Sequence, residues 1–267
     1  MPETTNAHEF TFNDSHIAYQ KFGSGSSVLL AFHGFGQNSQ VFTVLEKSLG
    51  ERFTIFAIDL FFHGNSHYAG NQPLTKLFWD QLISQFLQAQ GIDRLSLLGF
   101  SMGGRFALAT VGTIADRLEQ LILIAPDGIT RTFWYRLATD FSLGRNLFRY
   151  VLRHLSMLTT FGHMLTRLGL LNRTVMRFAE ISLSTPEQRD LVYKSWTQFR
   201  LLYPNLDSIS KILNDNKIRT RFFTGAFDRI VPGSHILPLT KRLCHYELTA
   251  LQTGHNHLIE LVSEQLK

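Results

Sequence analysis

Ser101 stands in Gly99-Phe100-Ser101-Met102-Gly103, between an apolar, strand-like run, Leu95 to Phe100, and a small-residue segment that continues as Arg105-Phe106-Ala107-Leu108-Ala109. A serine at so sharp a strand-to-helix turn is held in a strained backbone conformation. Glycines two residues before and after it are required because side chains there would collide with the turn. Such a turn lifts the hydroxyl clear of the sheet. It also aims a helix N-terminus at the hydroxyl, where negative charge that develops during attack is stabilised. The chemistry this suggests is acyl transfer to a serine.

A serine hydroxyl is a weak nucleophile at neutral pH unless a base takes its proton. The sequence offers His255 in Thr253-Gly254-His255-Asn256-His257, directly after the last expected strand; His257, the competitor, is expected inside the following helix. If His255 is the base, activity should rise with pH as the imidazole loses its proton. The base in turn needs an acid that fixes its tautomer and stabilises the imidazolium. Asp228 fits, in a Gly-containing loop that ends the penultimate strand. Asp127, in Pro126-Asp127-Gly128 after the strand that follows the nucleophile's, is the rival and otherwise reads as a turn residue. The developing oxyanion needs donors. The Met102 amide, next after the serine, is one. The Phe35 amide in His33-Gly34-Phe35-Gly36 is the other, because the glycines let that backbone approach a substrate. His33 reads as a hydrogen-bonding loop residue. No metal and no cofactor is called for.

These residues must be brought to one place by the elements around them. Phe10 to Phe22 alternates around Asn13-Asp14, which predicts a hairpin. Val28 to Phe32, Phe53 to Ile58, Leu95 to Phe100 and Leu121 to Ala125 read as buried strands, followed later by Ile218 to Thr224 and Tyr246 to Leu251. Helical patterns over Ser39 to Leu49, Leu74 to Gln90 and Met102 to Ala115 separate the first four, and Gly91 stands where a helix should end. Apolar strands joined by helices predict an α/β fold with a mainly parallel sheet flanked by helices. From Ile129 to about Tyr203 the pattern is helical, and Pro204-Asn205 closes it. The expected organisation is therefore a core over residues 1–128, a helical cap over 129–205 inserted above the sheet's C-terminal edge, and the rest of the core over 206–267.

Four motifs in order carry a resemblance: His33-Gly34-Phe35-Gly36, the segment from Gly99 to Gly104, Gly225-Ala226-Phe227-Asp228-Arg229-Ile230-Val231-Pro232, and Gly254-His255-Asn256-His257-Leu258-Ile259-Glu260. Together they closely resemble the α/β-hydrolase fold family, in the capped branch that holds monoacylglycerol lipases, carboxylesterases, cofactor-free haloperoxidases and carbon–carbon bond hydrolases. The order Ser101, Asp228, His255 matches the family's. The resemblance implies a serine hydrolase acting on an ester or thioester with an apolar group. Carbon–carbon bond hydrolysis or acyl transfer on the same triad is the second reading, and a non-catalytic small-molecule receptor the remote one. The chain departs from the family at Asp59-Leu60-Phe61-Phe62-His63-Gly64-Asn65-Ser66, where such proteins often carry a Pro-Gly turn. Phe61 and Phe62 are expected to put aromatic surface near the pocket, and Asp59, His63 and Ser66 to build the loop.

Composition sets the remaining bounds. At 267 residues, 44% hydrophobic and 18% charged, the chain is globular in type, and its one cysteine, Cys244, excludes an internal disulfide and is expected to pack. Met1 to Thr5 lack a basic segment leading into an apolar one, and no apolar run reaches membrane-span length. The expected location is therefore cytoplasmic. The net charge of +5 is uneven: Arg131 to Arg200 holds eleven basic and four acidic residues, and the rest fifteen and seventeen. Arg145, Arg149 and Arg153 recur every four residues beside Leu147, Val151, Leu155 and Leu158. That spacing reads as a solvated face, or as a basic face for anionic lipid or acidic head groups. No nucleic-acid-binding motif accompanies the charge. The aromatics Phe133, Trp134, Tyr135, Phe141, Phe148, Tyr150, Phe161, Phe178, Trp196 and Phe199 are expected mostly in the cap's own core, the others lining a pocket roof.

Overall fold

A computed structural model describes residues 7–154, 162, 164, 166, 167, 169 and 172–266. Eight strands form one sheet: β1 (Ala7–Phe12), β2 (Ser15–Phe22), β3 (Ser27–Phe32), β4 (Phe53–Ile58), β5 (Leu95–Phe100), β6 (Leu118–Ile124), β7 (Arg219–Gly225) and β8 (Glu247–Leu251). Their spatial order is β1-β2-β4-β3-β5-β6-β7-β8. The β1–β2 hairpin is antiparallel, with Asn13 and Asp14 both at positive φ in its two-residue turn, the conformation that matches the right-handed twist of the strands. From β4 to β8 the pairing is parallel. Parallel pairing buries both faces, and every residue of β5 is buried.

One face of this sheet packs Phe42, Leu45, Leu258 and Val262 against Leu29, Ile55, Leu98 and Phe223. On the core, helix Lys76–Ala89 carries Trp79, which is fully buried and donates its indole N–H to Thr110 Oγ1 at 2.9 Å. Because β3, β5, β6, β7 and β8 run in one direction, the loops after all five leave at one edge. Those loops hold His33 to Gly36, Ser101, Ala125 to Gly128, Asp228 and His255.

The chain divides into two compact units, Met1–Thr130 with Leu202–Lys267, and Arg131–Leu201. Among the described residues the second unit is helical: Phe133–Thr139, Ser142–Arg153, Arg173–Ser182 and Pro186–Gln198. Thr185 and Gln188 close a capping box on the last of these. Tyr135 is buried and donates to the Trp196 carbonyl at 2.9 Å, and Phe148 packs on Trp196 with ring centres 5.1 Å apart.

The helix expected over Ser39 to Leu49 is present, as 3-10 turns to Leu45 and α-helix over Glu46–Leu49. Several expectations are corrected. Cys244 is exposed; it lies in the loop before β8, where its amide donates to Asn214 Oδ1 at 2.9 Å. Phe61 is core, fully buried against Tyr68 and Phe78. Of the second unit's aromatics, Phe133, Trp134 and Tyr150 are exposed on helices that turn Tyr135 and Phe148 toward Trp196, and Phe141, the N-terminal cap of the second helix, is exposed as well. The arginine stripe is not uniformly solvated: Arg145 donates to the Thr139 and Asp140 carbonyls at the end of the preceding helix, and Arg149 donates to Tyr193 Oη. Leu155, Leu158 and Phe161 lie outside the described residues.

Candidate active site

β5 delivers the chain into Ser101, which has φ 51° and ψ −117° and is the N-terminal cap of helix Met102–Val111. That conformation is costly for a residue with a Cβ and persists only where the surroundings over-determine it. Here three backbone bonds do so: the Ser101 amide donates to the Ile124 carbonyl at 2.9 Å, and the Ser101 carbonyl accepts from the Gly104 and Asp127 amides at 2.9 and 2.8 Å. The turn also brings the helix against β3. A Cβ on Gly103 would lie 1.9 Å from the Phe32 carbonyl oxygen, so no larger residue fits there.

Ser101 Oγ lies 3.0 Å from His255 Nε2, and His255 Nδ1 lies 2.6 Å from Asp228 Oδ2. A carboxylate only accepts, so Nδ1 carries the proton toward Asp228, and Nε2 presents its lone pair to the serine hydroxyl. Asp228 is buried, and its other oxygen accepts from the Ile230 and Val231 amides at 2.8 and 2.9 Å. Both carboxylate oxygens are thus fixed. The His255 ring rests on Phe100, the residue before the serine, with centres 5.0 Å apart.

His257 stands outside this chain of bonds, exposed, as the N-terminal cap of helix Leu258–Gln265 rather than inside it. Asp127 is also diverted: its carboxylate pairs with the buried Arg105 guanidinium. That guanidinium lies over the Tyr203 ring at 4.1 Å and donates to Tyr203 Oη at 3.0 Å. Nothing in the spacing of Arg105, Asp127 and Tyr203 announces this cluster, because it forms only when three separate segments fold together.

The amides of Phe35 and Met102 are left without a bonded partner among the described residues, whereas the Gly34 amide is taken by Gln37 Oε1 at 3.1 Å. Gly36 turns the loop at φ 71°. His33 is fully buried and joins two loops, Nδ1 donating to the Gly34 carbonyl at 2.7 Å and Nε2 accepting from the Leu60 amide at 2.9 Å. Asp59 accepts from the Ser39 and Asn65 amides, and Ser66 Oγ donates to the Asp59 carbonyl. His63 braces the Phe35 ring edge-on at 5.6 Å. A histidine in a departed loop motif gives no sequence signal for that contact.

Burial, and next the neighbouring His63, lower the His33 pKa to about 3, and burial lowers that of His63. Protonation would also remove the Nε2 lone pair that holds Leu60. Between about pH 3 and the unfolded value near 6.5, the unfolded chain binds a proton at this position that the native protein does not. Stability is therefore full above about pH 6.5 and falls as pH drops. His33 alone contributes a slope of up to about 1.4 kcal/mol per pH unit, and His63 adds in the same direction. Urea melts at pH 7 and pH 5 check this; equal stabilities would show that neither histidine is held neutral.

The match to the alpha/beta hydrolase fold family runs over residues 27–260, and the chain belongs to that family. It is 30% identical over 114 residues to an uncharacterized protein of Mycobacterium tuberculosis, covering 43% of this chain and 33% of that protein. It is 32% identical over 109 residues to a pimeloyl-[acyl-carrier protein] methyl ester esterase of Aliivibrio salmonicida, covering 41% of this chain and 39% of that protein. The matched stretch thus spans only about a third to two fifths of these relatives. The crystal structure of a hydrolase from Pseudomonas aeruginosa PA01 aligns with a TM-score of 0.69 at 19% identity, covering 98% of this chain and 96% of that one, which is a likeness of fold.

Proposed function

We propose that the protein is a serine hydrolase that cleaves a carboxylic ester or thioester with an apolar group through an acyl-enzyme on Ser101. The observation that carries this reading is the hydrogen-bonded series Asp228–His255–Ser101, ending at a strained serine. As Ser101 Oγ attacks the carbonyl carbon, His255 Nε2 takes its proton. The Phe35 and Met102 amides hold the oxyanion, and Asp228 steadies the imidazolium. Collapse breaks the bond to the alcohol or thiol, which leaves with the proton from Nε2. Water then gives a proton to His255 and attacks the acyl carbon; the carboxylic acid departs and Ser101 recovers its hydrogen. The esterase of Aliivibrio salmonicida supports an ester as the bond class.

A series of p-nitrophenyl esters of increasing acyl length tests the assignment. The expected result is turnover with kcat/KM that depends on acyl length, and with free carboxylic acid as product. Absence of turnover across the series, together with release of acid from a vinylogous diketone, would move the reaction to carbon–carbon bond cleavage. Acyl transfer to added alcohol in place of acid would make it an acyltransferase.

A further inference from the structure

Helix Ser142–Arg153 is apolar on the wrong side for a helix that only packs. Its inner face carries Phe148, against Tyr193 and Trp196, and the buried Leu152. Its outer face carries Leu143, Leu147 and Tyr150, at spacings of four and three that put them on one stripe, and all three are exposed, Leu143 at 82%. The preceding helix repeats the pattern: Tyr135 and Thr139 are buried, while Phe133, Trp134 and Leu137 are exposed, Trp134 at 73%. Single exposed apolar residues are ordinary, but six in two successive short helices are not.

The charge beside the stripe is predominantly positive. Residues 131–154 contain five arginines and one acidic residue, Asp140, which is paired with Arg131. Arg149 and Arg153 flank the apolar stripe on the same helix, and Arg153 has no acidic partner among the described residues. Together with Arg189 and Lys194 they line a cleft of about 540 Å³ within this unit, where Asp190, paired with Lys194, is the only acidic residue among the described lining residues. A second copy of the same surface would bring arginines against arginines, which opposes a symmetric dimer. Leucine with tryptophan and tyrosine, bordered by arginines, suits the boundary between lipid head groups and acyl chains.

We infer that the helices Phe133–Thr139 and Ser142–Arg153 form an interfacial surface that docks on an anionic lipid bilayer, with their exposed leucines and aromatics entering the acyl boundary and the Arg149–Arg153 cleft meeting lipid phosphate. Among the described residues no helix is long and apolar enough to cross a membrane. The docking is independent of the reaction assigned to Ser101.

Flotation with vesicles of phosphatidylcholine, with and without 30% phosphatidylglycerol, tests it. The expected result is at least tenfold more protein on the anionic vesicles, lost in 0.5 M NaCl and lost in the L143E/L147E variant. Acyl-chain-brominated lipid should quench the fluorescence of the wild-type protein and not that of Trp134→Phe, since Trp79 is buried and Trp196 packs against Tyr135 and Phe148. The quenching needs no disruptive variant and decides the matter if L143E/L147E fails to fold. No binding to anionic vesicles, equal binding to both vesicle types, or a dimer in sedimentation that L143E/L147E dissociates would overturn the inference.

Discussion

Ser101→Ala is expected to lower kcat on a simple ester by about 10⁵- to 10⁶-fold, with the folded protein retained. The size follows from the role proposed for the hydroxyl: without it there is no acyl-enzyme, and only oriented binding and the oxyanion donors remain. The fold should survive because the turn is held by backbone bonds from Ile124, Gly104 and Asp127, none of which uses the serine side chain. Residual turnover within tenfold of the wild type, in protein with an unchanged melting profile, would remove Ser101 from the reaction.

Asp228→Asn is expected to lower kcat by about 10⁴-fold with little change in KM. The geometry supplies the reason. Asp228 Oδ1 accepts from both the Ile230 and Val231 amides, so an asparagine must keep its carbonyl oxygen there and turn its NH₂ toward His255 Nδ1. That donor would force the imidazole proton onto Nε2, which could then no longer accept from Ser101 Oγ. Combining D228N with S101A should cost little more than S101A alone, since both act in one proton transfer. Full additivity would mean that Asp228 acts elsewhere.

Much of this arrangement is legible in the amino-acid sequence. The parallel sheet is readable because β3, β5 and β6 are short apolar runs bounded by turn residues, and the same parallelism brings the loops of Ser101, Asp228 and His255 to one edge. The strained turn is readable because Gly99 and Gly103 have a steric reason to stand where they do. What stays hidden are contacts with no periodic or local signature. Arg105, Asp127 and Tyr203 meet across about a hundred residues, and His63 supports Phe35 only through loop packing. Cys244 reads as a packing residue by type, yet it is exposed in a loop where its backbone N–H donates a hydrogen bond to Asn214 Oδ1. The exposed stripe of Leu143, Leu147 and Tyr150 is invisible for another reason. Helical spacing shows which residues share a face but not whether that face points inward.

The most direct test of the central claim is covalent capture of the nucleophile. The protein is treated with a fluorophosphonate, digested and mapped by mass spectrometry. One phosphonylated peptide is expected, carrying the adduct on Ser101, absent in Ser101→Ala and formed more slowly in Asp228→Asn. No adduct, or an adduct on another residue with Ser101 unmodified, would contradict the claim.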